Sequence, residues 1–283
     1  MTDSHDTGRA DPNAADQTAM WNGAMGERWL ANHRALDRLL RPYGEASVAA
    51  LGDVAGASVV DIGCGTGSTT AAIASVVGAD GSAIGADISA QLVQTATADH
   101  GASGASFVVA DAGADDLGGP HDAMHSRFGV MFFPDPPAAY AHLRTQLRPG
   151  GRLSAVVWQA PTENQWVITP LALVSEHIEL PEPGPPGGPG PFSMADPDGI
   201  RSLLASTGWS DIGIDEVRVP MTVGDDAQGT AEFLLAMLPT GPVLDELGPE
   251  RTSELAAHVA AGLPVVDGQA TLEGAAWSVT ATA

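Results

Sequence analysis

Lysine is absent from this chain of 283 residues, and its 12 basic residues, all arginine, face 35 acidic ones for a formal net charge of −23. So negative a chain disfavours a phosphate backbone as partner, because approach brings repulsion where a basic surface would release counterions. Cysteine is nearly absent as well. Cys64 stands alone, which excludes an intrachain disulfide and leaves no cysteine cluster for a metal. No apolar run is long enough to span a membrane, and the sequence shows no secretory leader. These absences point to a cytosolic protein with no nucleic-acid partner and no membrane span; a small-molecule substrate is the expected partner and a homodimer the candidate assembly. The alanine- and glycine-rich, arginine-only composition reads as GC-rich coding, with the acids serving a soluble surface. Hydrophobic residues make up 44% of the chain and mean hydropathy is +0.04. That is ample for a sizeable core, in one large domain or a core with insertions.

The stretch with the most local information is VVDIGCGTGS, residues 59–68. Two β-branched residues lead into Asp61, and the acid leads into a loop with Gly63, Gly65 and Gly67 around Cys64 and Thr66. The alanine-rich TTAAIASVVG follows with apolar residues at helical spacing. A buried strand, a glycine turn and a helix N-terminus together form a dock for a ligand's polar end. Glycine lets the backbone turn sharply and approach the ligand, and free N–H groups at the helix start favour an anionic group.

Strands and helices then alternate: strand 58–62, helix 67–77, strand 82–87, helix 89–99, strand 106–111, and a strand from 122 through FGVMFF to the turn at PDPP. Helix 137–147 ends at LRPGG, strand 152–158 follows, and this alternation implies a parallel sheet with ligands at the strands' carboxyl ends. Ahead of it, residues 1–18 read as a polar, disordered tail and 19–52 as a helical cap. One or two amphipathic helices in that cap end near Pro42, and a further helix spans Glu45 to Leu51. Trp21 and Trp29 are candidates for the apolar wall of a lid. Because residues 19–41 precede the alternating core at 53–158, the sheet is expected to form without them. After Trp158, residues 159–195 carry a short helical stretch and the proline–glycine run PEPGPPGGPGPF, which emerges on the ligand face as a candidate substrate rim. The remainder, 196–283, opens with Asp196 capping a helix that has Pro197 at its first position. It continues with strand 211–219, a helical region 229–262 with gaps at Pro239 and Pro249, and a closing strand in AAWSVTATA.

Three acids fall at successive strand ends: Asp61, Asp87 and Asp111. A carboxylate at the second strand end can accept both hydroxyls of a ribose, as in any adenosine cofactor, so a nicotinamide-dependent oxidoreductase enters consideration. Two residues count against it. Ser68 occupies the place of the third glycine of a dinucleotide fingerprint, and Asp111 is placed to accept from an adenine amino group, as a single nucleoside requires.

VVDIGCGTG, IGADIS, VVADA and LRPGGRL, in this order and spacing, resemble the cofactor motifs of class I S-adenosylmethionine-dependent methyltransferases, most of all the ubiquinone and menaquinone C-methyltransferase group. SRFGVMFFPDP and the leading WNG and GERW are similar to a bacterial branch of that group. The resemblance implies a Rossmann-like α/β fold: a seven-stranded, mostly parallel sheet with helices on both faces, an N-terminal helical cap and helical insertions. It implies S-adenosyl-L-methionine as cofactor and S-adenosyl-L-homocysteine as product. Asp61 and the loop Gly63, Cys64, Gly65, Thr66 and Gly67 would face the methionine moiety, and Asp87 would take the ribose hydroxyls. Ile88 would flank adenine, Asp111 and Ala112 would meet its edge, and Ser126 and Arg127 would lie near the sulfonium. The family in general uses no metal, and the sequence shows no ligand cluster for one.

Methyl transfer asks mainly for alignment in a dry pocket, with a general base only where the acceptor arrives protonated. His33 in the cap and His125 in the fourth strand are the candidate bases. Trp21, Trp29, Met131, Phe132, Phe133, Trp158 and Trp166 suggest an apolar or aromatic acceptor, methylated on carbon or oxygen in secondary metabolism. A methyltransferase-like fold that binds the cofactor without methyl transfer, as a cyclase or a binding module, is the alternative.

Overall fold

The computed structural model describes residues 12–180, 188–223, 226–238 and 241–283. Its centre is a sheet built in chain order from β1 (Ser58–Ile62), β2 (Ser82–Asp87), β3 (Ala105–Val109), β4 (His121–Arg127), β5 (Leu147–Trp158), β6 (Ser210–Thr222), β7 (Val265–Val266) and β8 (Gln269–Thr282). The spatial order is β3-β2-β1-β4-β5-β8-β6, and the two-residue β7 forms only a hairpin with β8. β1 pairs in parallel with β2 and β4, β2 with β3, and β4 with β5. Only β8 runs against its neighbours β5 and β6. The expected mostly parallel α/β sheet of seven main strands is thus present, with β7 as a short addition.

Alternation along the strands assigns the two faces. Val59 of β1 and Ala123 of β4 join Ile73 and Val77 of helix α3 (Ser68–Val77) in one apolar cluster. Val60, Ile62 and Met124 belong instead to the main core on the other face, with Tyr140, Leu143, Ile200 and Leu204. Those four come from α5 (Pro136–Thr145) and α7 (Pro197–Ser206). The cap expected at Asp196 is formed: its carboxylate accepts from the backbone N–H groups of Asp198 and Gly199 at 3.1 and 3.2 Å. A separate apolar cluster holds α6 (Gln165–Ser175), α8 (Ala227–Met237) and α9 (Gly241–Gly262) together through Val174, Leu234, Leu235 and Val259. The helical path of α9 breaks at Gly248 (φ 76°), just before Pro249, where a gap was expected; Pro239 lies outside the described residues.

Five readings of the sequence need correction. Helix α1 spans Pro12–Asn22, so residues 12–18 are helical where a disordered tail was expected, with proline at the first helical position. The cap does not end near Pro42. Helix α2 runs from Ala24 to Ala50 with Pro42 inside it, because Leu36, Leu39, Leu40, Tyr43 and Ser47 all bury on one face and outweigh the proline. For the same reason α2 is part of the core and not a separable lid. The fourth strand stops at Arg127: Phe128 takes a left-handed conformation (φ 61°) and Val130–Phe132 form a 3-10 turn. β5 begins at Leu147, earlier than expected, because Leu147 already pairs with His121. Among the described residues, no helix is long and apolar enough to cross a membrane.

Candidate active site

The loop after β1 turns three times through positive φ, at Gly63 (65°), Gly65 (56°) and Gly67 (85°). Space makes the same demand at two of these positions. A Cβ on Gly63 would lie 2.7 Å from the Cα of Gly129, and one on Gly67 would meet Phe107 at 2.7 Å. At Gly65 the built Cβ meets only Trp29 Nε1, at 3.7 Å, so that glycine leaves open space in front of the loop.

This space is part of a cavity of about 340 Å³ at the carboxyl ends of the parallel strands, a size that suits a small ligand. One end is walled by Gly63, Gly65, Asp87, Ile88, Asp111 and Ala112. Asp87, at the end of β2, accepts from Gly65 N–H at 2.8 Å and Ser89 N–H at 2.9 Å. Burial pushes its carboxyl above the ordinary aspartate value, the two N–H bonds pull it back, and the charge of Asp61 adds to the rise. Each oxygen keeps a second lone pair free to accept from a ligand hydroxyl. Asp111 uses Oδ1 to accept from Gly113 N–H at 2.9 Å and lines the same cavity.

The other end is aromatic. Phe128 stacks on Trp158 with centroids 4.1 Å apart and planes 13° from parallel, and Trp158 meets Trp166 at 5.1 Å. The positive φ of Phe128 is what turns its ring there, a backbone state that bulky residues rarely adopt away from functional sites. Met131, Phe132, Phe133, Trp158 and Trp166, read from sequence as pocket residues, all line this cavity. From above, Trp21 and Trp29 line it too, in edge-to-face contact at 5.8 Å, and Trp21 meets Phe132 at 5.2 Å.

Several expected site residues lie elsewhere. Asp61 does not face the cavity: it is buried, its Oδ2 accepts from Thr70 Oγ1 at 2.7 Å, and its Oδ1 meets His125 Nδ1 at 2.8 Å. His125, fully buried, places Nε2 2.8 Å from Ser47 Oγ. With both ring nitrogens engaged away from the cavity, it has no route to an acceptor. His33 is off the cavity as well, with Nδ1 2.6 Å from the Leu30 carbonyl and Nε2 3.8 Å from Asp99. Ser126 braces the backbone, donating to Ile62 O at 2.8 Å and accepting from Gly129 N–H at 3.2 Å. Cys64, Thr66 and Gly67 shape the loop without lining the cavity. Burial, with the charges of Asp87 and Asp61, pushes the Cys64 thiol well up, so it is not a thiolate. Arg127 does line the cavity, but its Nη2 is held by Asp37 Oδ1 at 3.0 Å.

Asp37, on α2, went unnoticed in the sequence. Its Oδ1 also accepts from Ser68 Oγ at 2.7 Å and its Oδ2 from Thr66 Oγ1 at 3.4 Å, clasping the cap helix to the glycine loop. Nothing local marks it, since one aspartate among arginines on a helix reads as surface. Gln17 of α1 was missed too; it is buried at the cavity wall, and its Oε1 has no hydrogen-bond partner.

Residues 59–151 match the methyltransferase domain family. The chain is 26% identical over 169 residues to nocamycin O-methyltransferase of Saccharothrix syringae, an alignment covering 56% of this chain and 60% of that protein. It is 36% identical over 114 residues to the ubiquinone/menaquinone biosynthesis C-methyltransferase of Hahella chejuensis, covering 38% and 45% respectively. The chain thus spans about half the length of these relatives. In fold, the chain is similar to the magnesium protoporphyrin IX methyltransferase of Synechocystis, solved with bound S-adenosylhomocysteine. The TM-score is 0.55 at 15% identity, covering 94% of this chain and 99% of that one. The YcgJ protein of Bacillus subtilis gives 0.55 at 14%, covering 84% and 97%.

Proposed function

We propose that this protein binds S-adenosylmethionine at the glycine-loop end of the cavity and transfers its methyl group to carbon or oxygen of a small, apolar, aromatic molecule held at the other end. One observation carries the reading: a single cavity joins the strand-end acids Asp87 and Asp111 to the stacked aromatic wall of Phe128, Trp158 and Trp166. The donor set fits the nucleoside. Asp87 accepts the ribose hydroxyls, Ile88 packs on adenine, and Asp111 with Ala112 faces its polar edge. When bound, the cofactor supplies an activated methyl group on a sulfonium.

The chain's own contribution is alignment and exclusion of water. The aromatic wall holds a planar acceptor by stacking, and the tryptophans of α1 and α2 close the cavity from above. Arg127, Asp87 and Asp111 are the ionisable side chains among the described lining residues; Arg127 is paired with Asp37 and the two acids are assigned to the cofactor. The acceptor therefore enters as an already acidic phenol or enol, or loses its proton to water after transfer. Pro189 and Pro191 also line the cavity, which supports residues 159–195 as a substrate rim. One similar protein is named for O-methylation and another for C-methylation, which supports oxygen or carbon as the acceptor atom. A cytoplasmic location agrees with the acidic, nearly cysteine-free composition.

Calorimetry with S-adenosylhomocysteine and NADH in parallel tests the reading. S-adenosylhomocysteine should bind one per chain and NADH should not; NADH binding without a response to S-adenosylhomocysteine would overturn it.

A further inference from the structure

The sequence offered no metal-ligand cluster, yet the fold assembles one outside the lining of the proposed active site. Glu176 and His177 cap the end of α6, and His258 lies on α9, 82 and 81 residues further along the chain. One ligand atom from each lies within 4.8 Å of the other two. His258 Nε2 is 3.1 Å from Glu176 Oε2, and the His177 and His258 rings meet edge to face with centroids 4.2 Å apart.

We propose that Glu176, His177 and His258 form a surface site for a divalent transition metal, with zinc the best fit. Two imidazole nitrogens and a carboxylate oxygen are the donors that zinc takes, and hard cations such as magnesium or calcium prefer oxygen alone. Bonds of about 2.0–2.2 Å in a tetrahedron set neighbouring ligand atoms roughly 3.3 Å apart. The separation of His258 from Glu176 already matches, and a side-chain rotation brings in His177. Water fills the fourth position.

Buried packing, and not chance contact of surface side chains, sets this geometry. Val174 and Val259 are fully buried in the same apolar cluster. One turn beyond His258, Gly262 lets the two helices close up: a Cβ there would lie 2.5 Å from Leu173 Cδ2. The backbone amide of His177 is fixed on Val174 O at 3.0 Å. The three ligands thus project from anchored backbone, and the net charge of −23 concentrates cations around the chain. A bound ion fastens α6, which carries Trp166, to α9, and so stiffens the wall behind the acceptor end of the cavity.

The test uses the full-length chain without a polyhistidine tag, stripped with chelator and then titrated with Zn²⁺ alone. One zinc should bind per chain. His177→Ala and His258→Ala should each weaken binding by at least about tenfold, as loss of a direct ligand must exceed the loss of a supporting contact. Glu176→Gln should weaken it less, and His100→Ala, on α4 (Ala90–His100) outside the cluster, should leave it unchanged. Co²⁺ should give the intense visible bands of four-coordination in the unaltered chain, a readout that needs no variant to fold. Zinc affinity equal in the unaltered chain and in the His177→Ala/His258→Ala double variant, or weak octahedral Co²⁺ bands, would overturn the site.

Discussion

The imidazole of His125 and the carboxylate of Asp61 lie 2.8 Å apart with both side chains almost wholly buried. Thr70 on one side and Ser47 on the other complete a polar chain from α3 through β1 and β4 to α2. The pair resembles a nucleophile-activating arrangement in its spacing alone, because no member reaches the cavity. Its effect is to lock the strand that feeds the glycine loop.

His125→Ala should therefore act on stability. Removing one partner leaves a buried carboxylate short of a hydrogen bond, a loss of about 3–5 kcal/mol by the measure of broken buried pairs. Chemical denaturation should show the loss, while folded variant binds S-adenosylhomocysteine within a few-fold of the unaltered chain. A fully stable His125→Ala variant with abolished turnover would return the residue to the chemistry.

Asp87→Ala should weaken S-adenosylhomocysteine binding by about 1.5–3 kcal/mol, the range for hydrogen bonds to a charged group. Its pH behaviour has a definite sign. Since burial raises the folded-state value above that of the open chain, the folded protein holds this proton to higher pH. The carboxyl thus favours folding at acid pH, and that contribution is lost as pH rises through the raised value. Denaturation curves across the range just above the ordinary aspartate value should carry this slope in the unaltered ligand-free chain and lack it in Asp87→Ala. Equal slopes, with an unchanged dissociation constant, would remove Asp87 from the site.

At the aromatic end, Trp166 is half-buried and donates from Nε1 to Asn164 Oδ1 at 2.9 Å. Trp166→Ala removes a ring from the acceptor wall and leaves the glycine loop untouched. Turnover of planar phenols in a screened panel should show a higher KM, by about tenfold for a lost stacking contact and its buried area. S-adenosylhomocysteine affinity should stay constant. A parallel fall in both would mean that the two ends of the cavity are not separate subsites.

What could be read from the sequence was local. β-branched runs, the three glycines and the acids at the ends of the first three strands are set by neighbours within a few residues, so β1, β2 and the glycine loop lie where expected, and Asp87 lines the cavity. What escaped was tertiary. Pro42 reads as a stop until the buried face of α2 is seen to carry on through Tyr43 and Ser47. Asp61 sits at a strand end like Asp87, but only the placement of Thr70 and His125 turns its carboxylate inward. His177 and His258 gain meaning only once α6 and α9 pack.

Helix α1 is stitched to the opposite wall at one point, and this makes a lid of the right extent. Asn22 Nδ2 donates to Ile88 O at 3.1 Å, and Asn22 Oδ1 accepts from Ala90 N–H at 3.0 Å. Gln91 Nε2 adds a bond to Trp21 O at 3.3 Å. These partners bracket the start of α4 (Ala90–His100), beside the residue placed against adenine. α2 cannot be the moving part, because its core face and the Asp37 clasp tie it to the sheet. α1 is held less firmly: apart from Gln17, Met20 and Trp21 at the cavity, its ties here are hydrogen bonds at one end. Ligand in the cavity should hold this helix down. Limited proteolysis should cut within residues 12–22 more slowly when S-adenosylhomocysteine is present. Asn22→Ala should remove that protection and weaken binding by about 1–2 kcal/mol, the worth of its two exposed-edge hydrogen bonds, with the thermal midpoint little changed. Cutting at equal rates with and without bound ligand would show that α1 covers the cavity without responding to what fills it.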